Sequence, residues 1–293
     1  MPSFLQGGWL IYLVSIVLLG GFIAASAIDL ELWVIPVSIC WLVTAVGLLA
    51  SALGPYLIDP DVIRGHFLLP STSDLLLSEI TVASLAAGAA VGTAISIVLL
   101  VTGVIKRSYE SASGEHIESD QPAEPLQTGE ESAEPQFNHC LEMGREIVFL
   151  LPIVICCAAS YWILGKTEPI RAWWLDFSQI PAIAGLLGGL WSYFVGCGIV
   201  WAVRILGTIA FRKEAMGLGD VHLMGAAGAV IGPVGVIVAF FIAPFFGLAW
   251  AAVQMFFKKT RQIPYGPFLS LAVVVVMILH DRIYYVVAKM IYH

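Results

Sequence analysis

Gly217-Leu218-Gly219-Asp220-Val221-His222-Leu223-Met224-Gly225-Ala226-Ala227-Gly228-Ala229 is the stretch that decides how this chain is read. From Val221 to Phe257 the sequence holds no Asp, Glu, Lys or Arg. A helix of about 20 residues is enough to cross a hydrocarbon core, so this run is of membrane length. Its Gly and Ala content lets membrane helices approach one another closely. Proline cannot continue the helical ladder, so a break is expected at Gly232-Pro233, making 221–257 a pair of shorter helices. Asp220 stands alone at the entrance. A carboxylate at the edge of a membrane helix is costly and is a functional-site candidate by default.

The rest of the chain has the same character. It is 59% hydrophobic and 12% charged, with a mean hydropathy of +0.90, far from soluble globular composition. Further charge-free runs cover 8–28, 32–58, 80–105, 147–165, 177–203 and 262–280. The fold class expected is an all-α polytopic membrane protein of about eight helical segments, some of them short. Residues 1–7 carry no basic region ahead of the first apolar run, so a cleavable signal is not expected. The net charge of −7 is local, because ten of the 21 acids lie between Glu110 and Glu146. Residues 108–144 are rich in Glu, Ser, Pro and Gln and read as a disordered acidic cytoplasmic loop. No basic patch suits nucleic acid. The five cysteines form no C-x-x-C pair, so neither a metal site nor a cofactor is expected.

Lys and Arg set the orientation. Lys106, Arg107 and Arg145 flank the acidic loop, Arg212 and Lys213 precede the second aspartate, and Lys258, Lys259 and Arg261 precede the last span. Counting spans puts these clusters on one face, which is then cytoplasmic, and Asp29 and Asp220 fall on that same face. Trp173 and Trp174, on the opposite side, fit an interfacial belt. Arg204 and His280 read as span-end groups, with Arg204 snorkelling toward water.

Three short motifs carry chemistry. Asp29-Leu30-Glu31-Leu32-Trp33-Val34-Ile35-Pro36 closes the first span and opens the second. Gly217-Leu218-Gly219-Asp220 pairs two glycines, which permit a tight bend and close approach, with a carboxylate. Ile263-Pro264-Tyr265-Gly266-Pro267-Phe268-Leu269 fixes a rigid entrance to the last span. Either aspartate also has a purely structural reading as a helix cap.

Taken together and in this order, the three motifs resemble the type IV prepilin peptidases, which are Gly-x-Gly-Asp intramembrane aspartic proteases. The resemblance covers roughly 8–54 and 180–285. It implies that Asp29 and Asp220 are the catalytic pair, supported by Gly217, Gly219, His222, Pro36, Pro264, Gly266 and Pro267. It divides the chain into 1–54, with the first two spans and Asp29, an inserted region 55–179 with two spans and the acidic loop, and 180–293, with the other two motifs. Bifunctional members carry an N-terminal region with two C-x-x-C pairs, so methyl transfer is not expected here. Val37 stands where the family often has Asn or Asp, and His222 where bacterial members often have Lys.

The implied function is cleavage of the leader from prepilin-like precursors, pilins or pseudopilins, at the cytoplasmic face of the inner (plasma) membrane. Pilus or secretion assembly proteins are further partners. Two neighbouring carboxylates share one proton, so one can take a proton from water while the other donates to the scissile carbonyl. The alternative is a non-catalytic polytopic transporter or assembly scaffold. Few intramembrane charges accompany the two aspartates, which counts against a route for charged solutes. A presenilin-like protease pairs Gly-x-Gly-Asp with Tyr-Asp, whereas Ile28 precedes Asp29.

Overall fold

The computed structural model describes residues 7–58, 69–72, 77–105, 139–256 and 264–292, and every regular element among them is an α-helix. They are α1 (Trp9–Leu32), α2 (Val37–Leu57), α3 (Glu79–Val101), α4 (His139–Lys166), α5 (Ile170–Ser178), α6 (Pro181–Phe211), α7 (Leu218–Phe256), α8 (Gly266–Ile278) and α9 (His280–Tyr292). Six of these helices are long and apolar enough to cross a membrane, and α8 with α9, bent by 82°, makes a seventh if counted as one broken span. The chain is a polytopic helical membrane protein. Apolar side chains such as Leu151, Val154, Ile155 and Trp162 of α4 face outward, as on a lipid-facing helix.

The observed helices match the expected spans, with differences at three places. Nine helices stand among the described residues where about eight segments were expected. Two are additional, α5, a short amphipathic helix carrying Trp173 and Trp174, and α9, which the chain enters by a bend rather than a straight continuation, while the pair expected within 221–257 counts as the one element α7. The expected acidic loop 108–144 largely lies outside the described residues, but its last six, 139–144, are the helical start of α4. Glu142 and Met143 are buried there, because this turn packs inward instead of trailing into solvent.

The break in α7 falls where glycine and proline predicted it. Gly232 has φ 79° and ψ 169°, outside the helical region, and Pro233 follows. The break folds the helix back. Ile35 touches both the Gly219 and Gly266 positions, and the Phe268 ring, two residues past Gly266, lies on Gly247. A straight helix would set Gly219 and Gly247 about 42 Å apart, so the two arms of α7 form a hairpin. The first arm is buried almost all round, as a helix at the centre of a bundle must be.

Small residues allow this burial. A methyl at Gly196 of α6 would run into the Met224 carbonyl, and one at Gly228 of α7 into the Ser192 carbonyl. Gly47 brings α2 close to Ala229, whose carbonyl oxygen would lie 3.0 Å from a methyl there. Gly88 and Gly92 of α3 lie against the α4 backbone at Cys156 and Ile153, and the Ser96 hydroxyl donates to the Phe149 carbonyl at 2.7 Å. These are the close-packed seams that stand in for a hydrophobic driving force inside lipid.

Candidate active site

Asp29 lies in the last turn of α1. That helix stops because Trp33 turns left-handed (φ 58°, ψ 27°), its N–H donating to the Asp29 carbonyl at 3.0 Å. The chain then runs extended through Ile35 to Pro36, which caps the start of α2 with ψ 107°. Ile35 is buried as a wedge between two other elements. A methyl at Gly219 would lie 2.7 Å from its Cβ, and one at Gly266 would lie 3.1 Å from its Cδ1. The same methyl at Gly266 would stand 2.5 Å from Asp29 Oδ2. The two glycines therefore leave room for the Asp29-to-Ile35 segment and hold α1, α7 and α8 together around it.

Asp220 sits in the first turn of α7, with Gly217 close by, where a methyl would come 3.6 Å from its Oδ2. Asp29 is 5% exposed and Asp220 6%, and the charge of Asp29 acts on Asp220. Asp29 Oδ2 and Asp220 Oδ1 are both buried with no hydrogen-bond partner among the described residues. Buried polar atoms are normally satisfied, so an unpaired oxygen on each of two buried carboxylates at one end of the bundle singles this place out as the candidate site. Among the described residues no group of three or more His, Cys, Asp or Glu side chains comes together that could hold a metal ion.

The expected site residues divide into two sets. Asp29, Asp220, Gly217, Gly219 and Gly266 meet at one end of the bundle, with Pro36 opening α2 and Pro267 in the first turn of α8. Pro264 is half-buried at the entry to α8. His222 points elsewhere: its ring lies against Trp41 of α2, centroids 5.9 Å apart.

Several contributors were not singled out from sequence. Ile35 was quoted as part of a motif, but its wedge role depends on α7 and α8. Tyr265 lies near Asp220, and burial, then the Asp220 charge, push its phenol up to about 12. Ser26 and Ser270, a turn from Asp29 and Gly266 respectively, share a hydrogen bond of 2.9 Å that pins α1 to α8. The reading of Arg204 as a snorkelling span-end group is corrected: it is 1% exposed and its guanidinium is fully engaged within the protein. A cation paired with the buried Glu146 carboxylate has no need to reach for water.

The fold and site thus define a polytopic helical membrane protein with a buried carboxylate pair at one end of its bundle. Residues 146–252 match the sequence model of the type IV leader peptidase family, so the resemblance drawn from the three motifs is borne out. The match contains Asp220 and reaches into α4, starting at Glu146; Asp29 lies before it, and its place beside Asp220 comes from the structure. Among curated relatives, the chain is similar to the type 4 prepilin-like proteins leader peptide-processing enzyme of Escherichia coli, 34% identical over 90 residues, 31% of this chain and 30% of that protein. It is also similar to the prepilin leader peptidase/N-methyltransferase of Xanthomonas campestris, 33% identical over 101 residues, 33% of this chain and 34% of that protein. The chain spans about a third of the length of the curated relatives it matches. No solved structure matches it.

Proposed function

We propose that this chain is an intramembrane aspartic endopeptidase that removes the leader from prepilin-like precursors. The observation that carries the reading is the meeting of Asp29 and Asp220, both buried, each with a carboxylate oxygen left without a partner. Two carboxylates that feel each other in a low-dielectric site share one proton. The ionised one takes a proton from water as the water oxygen attacks the scissile carbonyl. The neutral one donates its proton to the carbonyl oxygen; on collapse of the tetrahedral intermediate it takes that proton back, while the other aspartate passes the proton from water to the leaving nitrogen, which departs as the amine. Acid–base help of this kind is worth about 10²–10⁴-fold.

The relatives' names support the substrate class, and the peptidase part of those names is the part that the site geometry fits. A site at the end of a membrane bundle suits a precursor whose apolar helix stays in lipid while its polar leader stays in water. Arg145, Arg212 and Lys213 belong to the helix ends and turns on the aspartate side, which supports a cytoplasmic orientation by the positive-inside rule. In a bacterium that membrane is the inner one, and pilus or secretion assembly proteins are the partners downstream.

The test is cleavage of a co-expressed pilin-like precursor. Asp29→Asn and Asp220→Asn each abolish cleavage while the protein still accumulates in the membrane. Processing by either variant at the wild-type level rules the pair out.

A further inference from the structure

The α6–α7 corner, which delivers Gly217-Leu218-Gly219-Asp220, is tied down by an ionic cluster whose Arg204 and Glu146 are buried and whose Glu214 is half exposed. Arg204 of α6 donates from Nε to Glu146 Oε1 and Oε2 of α4 at 3.0 and 3.1 Å, and from Nη2 to Oε1 at 2.9 Å. Its Nη1 donates to Glu214 Oε1 at 2.7 Å and to the Met216 carbonyl. Trp201 Nε1 donates to Glu146 Oε2 at 2.9 Å. One turn further along α6, Thr208 Oγ1 accepts from the Ala215 N–H at 3.1 Å, and Gly207 leaves room for Ala215, whose Cβ would stand 2.7 Å from a methyl there. Residues 214, 215 and 216 are therefore each held to α6 by a side chain, and the next residue is Gly217.

Buried ion pairs add little net stability, because the desolvation they require offsets their attraction. Apolar side chains would pack α4 on α6 as well. What they cannot do is hold a backbone carbonyl and a carboxylate in fixed directions, which the planar guanidinium does with separate nitrogens. We propose that Arg204, clamped by Glu146, is a positioning residue that sets where the Gly-x-Gly-Asp turn presents Asp220, which makes α4 a working part of the site. The hydrogen bonds of Arg204 reach the turn at Glu214 and Met216, and its charge also acts on Asp220 directly. This inference rests on the dyad reading above.

The experiment uses the full chain, purified in detergent, with a synthetic prepilin-like precursor as probe. kcat and KM are measured separately and referred to the folded fraction from size exclusion. Glu146→Gln and Arg204→Gln lower kcat by about tenfold or more while KM changes little, since misplacing a catalytic group by a fraction of an ångström is enough for such a loss. Arg204→Lys, which keeps the charge but not the fork, recovers part of that loss. Thr208→Ala, which removes only the Ala215 tether, lowers kcat several-fold by the same route, and it decides the matter if Arg204→Gln does not fold. Wild-type kcat per folded enzyme in Glu146→Gln and Thr208→Ala, with any lost activity tracking lost protein, overturns the proposal. Asp220→Asn runs alongside: if it still cleaves, the dyad reading itself falls, whereas if it is dead and the positioning variants are wild-type, only this inference falls.

Discussion

Gly266→Ala is the sharpest probe of the site, because the methyl it adds points at the Asp29 carboxylate. That methyl would lie 2.5 Å from Asp29 Oδ2, 3.4 Å from Asp29 Cγ and 3.1 Å from Ile35 Cδ1. An ordinary carbon–oxygen contact is about 3.4 Å, so the carboxylate has to move by about 0.9 Å. A displacement of that size costs about 100-fold in rate, equivalent to about 2.7 kcal/mol of transition-state stabilisation. Stability is affected far less. The Ile35 methyl group can rotate aside, and alanine is a better helix former than glycine by up to about 1 kcal/mol. The assay is the initial rate of precursor cleavage by purified enzyme, with detergent unfolding measured on the same sample. Gly20→Ala is the control, since nothing lies within 4 Å of the methyl it adds. A Gly266→Ala enzyme with a rate within about twofold of wild type, at unchanged stability, would refute the placement of Asp29 against α8.

Two other outcomes follow from the same geometry. Ser26→Ala and Ser270→Ala each lose the hydrogen bond that joins these two side chains across α1 and α8, so a double-mutant cycle in mixed-micelle unfolding gives a coupling of about 0.6 kcal/mol, the typical value for such bonds inside membranes. The Tyr265 phenol, pushed up to about 12 by burial and then by Asp220, binds its proton more tightly when folded than the ordinary value near 10 allows. Its contribution is complete below about pH 10 and is lost as the pH rises through the folded value, so Tyr265→Phe leaves the cleavage profile between about pH 5 and 9 unchanged but flattens the alkaline loss of stability.

The membrane spans were legible because the property that defines them, a run without charge, is local in sequence. The ends of α1 and α2 fall within a few residues of the expectation for that reason. The hairpin in α7 was legible because Gly232 and Pro233 each oppose helix continuation. α5 was not, since Arg171 and Asp176 interrupt its apolar run and its nine residues are too few to read as a span. The bend between α8 and α9 was not, because Leu279-His280 holds neither glycine nor proline. In the site, the aspartates and glycines stood out because they are rare or unusual types in a lipid-facing chain. Ile35 did not, since one more apolar residue among many carries no signal until Gly219 and Gly266 close around it. Arg204 was misread because a lone cation near a span end looks the same in sequence whether it reaches water or Glu146.

The central claim is that Asp29 and Asp220 act as one unit, and the kinetics of Asp29→Asn, Asp220→Asn and the double variant test it most directly. Residues that act as a unit lose their whole effect when either is removed. The account predicts that all three variants, folded and present at wild-type level, fall to the same residual cleavage rate. A double variant that is slower than either single by the product of their separate losses, or a single variant that keeps substantial cleavage, contradicts it.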